Sequence, residues 1–77
     1  MIRIQIDEDV YTGKDYKEIV TKMRLDDPLL SDPNNEAYMF GVKRRMKVWN
    51  GHNVIIRDEK SFIESLDRIG MAKILEV

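Results

Sequence analysis

The chain has 77 residues, no cysteine and a formal net charge of −1, from 13 Lys and Arg against 14 Asp and Glu. That length leaves room for one small domain with a modest core, and the absence of cysteine excludes disulfides, thiolate metal sites and thiol catalysis. With 43% hydrophobic residues and charges that nearly cancel, the chain lacks the composition of a disordered one and the global field that draws nucleic acid or an anionic membrane.

Ile2, Ile4 and Ile6 alternate with Arg3 and Gln5, the period-two pattern of a half-buried strand. A signal peptide instead needs about 7–15 continuous apolar residues, and no stretch approaches the ~20 of a membrane span. A soluble, cytoplasmic protein without a membrane partner is the expectation. Asp7-Glu8-Asp9 reads as a turn and Val10-Tyr11-Thr12 as the return strand of a hairpin, with Gly13 behind it.

From Asp15 the period changes. Tyr16, Ile19, Val20 and Met23 make one helical stripe, with Thr12 or Asp15 as the cap and Pro28 as the stop. Leu29 and Leu30 are expected to plug the core from a loop. Ser31-Asp32-Pro33 then predicts a second helix, with proline at its first position, running to Asn50 and closed by Gly51. Its inward arc is Tyr38, Met39, Val42, Met46 and Trp49, beside Gly41, where the missing side chain would permit close packing.

Val54-Ile55-Ile56-Arg57 is a β-branched run read as a third strand. Ser61 and Glu64 have capping-box spacing, and Phe62, Ile63, Leu66 and Ile69 form the stripe of a third helix closed by Gly70. Residues 72–77 read as a terminal strand. The expected fold is a single α+β domain over residues 1–77, ordered β-β-α-α-β-α-β. The last three elements resemble a βαβ unit with parallel strands, giving a four-stranded mixed sheet with three helices mainly on one face.

Sites of chemistry are sparse. Gly13-Lys14 lacks both the glycine five positions earlier and the following Ser or Thr of a phosphate loop, because those positions hold Glu8 and Asp15. His52 lies in a polar connection with no partner signature. Asp7-Glu8-Asp9 and Asp26-Asp27 with Asp32 lack calcium-loop spacing, and they read as turn and cap residues. No catalytic residue, metal ligand or cofactor motif is assigned.

Two surfaces remain. On the second helix Phe40, Lys43, Arg44 and Lys47 share a face, with Arg45 in the same basic segment. An aromatic among cations suits phosphate contact with stacking or an acidic protein, and a plain solvated face competes with both readings. The second surface is the outer face of the sheet, where consecutive apolar residues around Ile55, ahead of Arg57, and around Leu75 leave apolar side chains on both sides.

These features support three functions. The first is a non-catalytic protein-binding or regulatory domain, self-associating through its sheet. The second is a nucleic-acid-binding accessory protein using the basic helix over residues 33–50. The third is an enzyme or enzyme subunit drawing on Tyr11, Tyr16, His52 and the acidic residues.

Overall fold

A computed structural model describes residues 1–27 and 32–77. β1 (Ile2–Ile6) and β2 (Asp9–Gly13) form the expected hairpin, with Ile4 opposite Tyr11. Its tight reversal places Asp7 at φ 54°, a left-handed geometry that Asp tolerates better than most residues. α1 (Tyr16–Asp26) follows, capped by the Asp15 carboxylate, which accepts the Glu18 N–H at 2.8 Å. Ile19, Val20 and Met23 of the predicted stripe are buried.

α2 (Asn35–Asn50) begins two residues later than Pro33 predicts. Asn34 caps it, its side-chain oxygen accepting the Ala37 N–H at 2.8 Å. Asn is as good a cap as Ser, so the proline stands before the cap rather than inside the first turn. Gly51 closes the helix at φ 70° as expected. The segments predicted to stop α1 and plug the core, Pro28 and Leu29-Leu30, lie outside the described residues.

α3 (Glu59–Arg68) begins two residues before the expected serine. Asp58 is the cap, and the capping box closes because Asp58 accepts the Ser61 N–H while Ser61 Oγ accepts the Asp58 N–H. Those bonds hold the Asp58 carboxyl below the usual carboxylate range, the bond from the Ser61 backbone contributing most. Leu66 O accepts the Met71 N–H at 2.9 Å, and Gly70 takes φ 84° to allow it. β3 (Lys73–Glu76) then returns to the sheet.

Among the described residues the sheet has three strands in the order β2-β1-β3, and both pairings are antiparallel. This corrects the expected four-stranded mixed sheet and its parallel βαβ unit. Residues 54–57 join no ladder; they are bonded to α3. Ser65 Oγ accepts the Ile55 N–H at 3.0 Å, and Ser61 Oγ accepts the Arg57 N–H at 2.8 Å. Two serines one helical turn apart thus accept the amides of Ile55 and Arg57. Val54 is fully buried, as a strand residue would have been, so the apolar signal was real but its partner is a helix.

α1 and α3 pack on the sheet and on each other, whereas α2 rests on those two helices and not on the sheet. The core joins Ile4, Ile19, Val20, Phe62, Ile63 and Leu66 to Tyr38, Met39, Val42 and Met46 of α2. Tyr38 and Phe62 meet edge to face, with centroids 6.4 Å apart and planes at 71°. Gly41 does not mediate close packing: a Cβ there would meet nothing within 4 Å. No helix among the described residues is long and apolar enough to cross a membrane.

Candidate interaction surface

The inward arc of α2 is buried at Tyr38, Met39, Val42 and Met46, but it ends differently from expectation. Trp49 occupies the same arc and is 69% exposed. The sequence places it in the core; the structure places it over a groove. Among the described elements α2 rests on α1 and α3.

The groove has a volume of about 340 Å³. One wall is α2, through Tyr38, Val42, Arg45, Met46 and Trp49. The rest of the lining comes from Ile6 and Asp7 at the end of β1, Leu66 of α3 with Met71 beyond it, and Met23 of α1 with Asp27 at its end. Three of the chain's five methionines are therefore in its lining. Their unbranched, polarizable side chains adapt to varied apolar partners. Tyr38 has its pKa raised, first by burial and then by the negative charge of Asp27, with Arg45 opposing. That hydroxyl therefore stays protonated.

The residues singled out from sequence are only partly brought together. Phe40 is 45% exposed and shares the outer side of α2 with exposed Arg44 and Lys47; Lys43 and Arg45 are half-buried. Ile55 and Arg57 are exposed, but on the segment held against α3. They belong to no sheet face, so the outer apolar patch expected around Ile55 does not form. The outer face of the sheet carries Arg3, Gln5 and Thr12, with exposed Val10 and Leu75. His52 is exposed in the connection after α2.

Sequence reasoning missed the groove because its lining comes from α2, both ends of the β1–α3 side and α1. The available signals were the number of methionines and a tryptophan in the final turn before a helix-closing glycine. It also missed a polar junction between helices. Asn35 donates to Thr21 Oγ1 at 2.9 Å and accepts from Arg24 Nε at 3.0 Å, and Arg24 also donates to the Asp32 carbonyl at 3.1 Å. This junction fixes α2 against α1. Among the described residues no group of three or more His, Asp or Glu is arranged to hold a metal ion.

Comparison with protein families, with curated proteins and with solved structures finds no match to this chain.

Proposed function

We propose that this chain is a non-catalytic protein-recognition domain that docks its partner in the groove under the C-terminal half of α2. The observation that carries the reading is Trp49, an aromatic on the core-facing arc of a helix left largely exposed beside apolar walls. Trp and Arg are enriched among the residues that dominate interface energetics, and the most effective ones sit at fully desolvated pockets. Arg45 and Trp49 occupy one groove wall together.

A second reading, nucleic-acid binding, is favoured by Phe40 standing exposed with Arg44 and Lys47 on the other side of the same helix. Phosphate contact by such a face gives binding that weakens steeply with salt. One experiment separates the two. A photoreactive phenylalanine analogue is placed at position 49 or at position 40 and irradiated in extracts of the source cells. Protein adducts from position 49, without nucleic-acid adducts from position 40, support the first reading. Nucleic-acid adducts from position 40 with none to protein from position 49 overturn it.

A further inference from the structure

The two edges of the sheet differ. At β3 the register against β1 slips between Arg3 and Ile4, and the Asp67 carboxylate of α3 accepts the Ile74 N–H at 3.4 Å. An irregular ladder and a covering charge are devices that keep an edge strand from pairing. β2 instead keeps an unbroken register with β1 from Asp9 to Gly13 and holds no proline. Its ladder starts at the Ile6–Asp9 pair, which closes a two-residue turn. Asp9, Tyr11 and Gly13 therefore bond to β1, while Val10 and Thr12 turn their N–H and C=O groups to the edge. Lys22 Nζ donates to the Thr12 carbonyl, in keeping with that direction. Among the described residues nothing else bonds to these edge groups.

Beside this edge α1 is open as well. Asp9, Val10 and Tyr11 line a cleft of about 430 Å³ with Lys22, Leu25 and Asp26, and Val10 is 51% and Leu25 72% exposed. Charge is ordered along it. Glu8 and Asp9 stand at the start of β2, and Asp26 accepts the Tyr11 hydroxyl at 2.7 Å. At the other end Lys22 sits on Thr12, and Lys14 follows Gly13. Glu18 is the acid there, 3.9 Å from Lys22, in an exposed pair of little strength. We propose that the β2 edge pairs with the β2 edge of a second copy of this chain, antiparallel and centred on Tyr11. This surface shares no residue with the α2 groove.

In that register Val10 of each copy stands opposite Thr12 of the other, and every edge-facing amide and carbonyl of the two strands is bonded. The Thr12 carbonyl has a second lone pair for this beside Lys22. Glu8 falls opposite Lys14 of the other copy, and Asp9 falls opposite Gly13, next to the Thr12 that Lys22 holds. Each pairing occurs twice. The order of charge that would repel a parallel copy thus attracts an antiparallel one. The two-fold axis runs through the new ladder, perpendicular to the sheet, so the strands β3-β1-β2 of one copy continue into β2-β1-β3 of the other. The same rotation keeps both α1 helices on one face, side by side, where they cover Leu25. Each copy offers one such edge, so the assembly closes as a dimer.

The test is sedimentation equilibrium of the purified full chain from about 1 μM to about 1 mM, since a dimer responds to concentration by mass action, with amide exchange measured at both ends of that range. The mass is expected to rise toward twice that of the monomer, and exchange at Val10 and Thr12 to slow as it does. Val10→Pro removes an N–H that faces away from β1, a position where an edge strand tolerates proline. It takes one hydrogen bond from each copy, so association should weaken at least about tenfold. Lys22→Glu and Asp9→Lys leave the edge amides in place. Each is expected to weaken association about fivefold, and the combined K22E and D9K chain to recover most of it, as charge pairs couple across interfaces. Circular dichroism confirms that each variant is folded. A strict monomer at the highest concentration overturns the proposal. So does a dimer indifferent to V10P, one in which Val10 and Thr12 exchange as fast as in the monomer, or one whose charge reversals show no recovery in combination.

Discussion

Replacing Ser65 by alanine removes the hydroxyl that holds residues 54–57 on α3. Ser65 is only 1% exposed. Its Oγ accepts the Ile55 N–H at 3.0 Å and an Arg68 guanidinium N–H at 3.2 Å, and it donates to the Ile55 carbonyl at 3.4 Å. Leaving a buried donor unpaired costs about 1–3 kcal/mol. Ile55 is 38% exposed, so water reaches its amide in part and the lower half of that range applies, about 1–2 kcal/mol. Alanine returns a few tenths of a kcal/mol, up to about 0.5, as the better helix former. The net expectation is a loss of about 1 kcal/mol, which for a domain this size lowers Tm by about 4–8 °C. Urea denaturation measures the loss, and amide exchange reports Ile55 directly. Faster exchange at Ile55 than at Phe62 or Ile63 is expected, because the segment detaches before the helix core opens. An S65A chain as stable as the original, with unchanged exchange at Ile55, would refute the assignment of this serine as the segment's anchor.

Gly41→Ala should stabilise the protein by about 0.5–1 kcal/mol, because the glycine is inside a helix and its Cβ position is empty; a higher urea midpoint checks it. Gly70→Ala should do the reverse by about 1 kcal/mol, because the α3 terminus holds φ at 84°, and its Tm should fall. Tyr11 donates to Asp26 at 2.7 Å, and burial first, then this bond and the Asp26 charge, raise its pKa. A folded pKa above the unfolded value gives stability that is complete below about pH 10 and lost as pH climbs beyond it. Tyr11→Phe should therefore reduce the fall in urea midpoint between about pH 9 and about pH 11, leaving the part due to Tyr38, whose pKa is also raised.

The alternation of Ile2, Ile4 and Ile6, the stripe Ile19, Val20 and Met23, and the glycines after α2 and α3 determine their elements locally. Side-chain period and positive φ are properties of neighbouring residues, so these features were legible in the sequence. The starts of α2 and α3 were less so, since several adjacent residues had capping chemistry and only the folded backbone selects Asn34 and Asp58. The run Val54-Ile55-Ile56 shows the limit more sharply. The burial of Val54 was readable, but a segment can satisfy its amides on a strand or on helix serines, and that choice depends on where α2 delivers the chain.

The candidate site divides in the same way. Arg44, Lys47 and the exposed Phe40 could be placed on one face by helical spacing alone. Trp49 could not be assigned correctly, because spacing gives the direction of a side chain and not what lies beneath it. Whether an inward-facing residue is core or surface depends on how far the neighbouring elements reach. Here α2 packs on α1 and α3 but not on the sheet, so the direction of Trp49 was fixed by sequence and its exposure by tertiary structure.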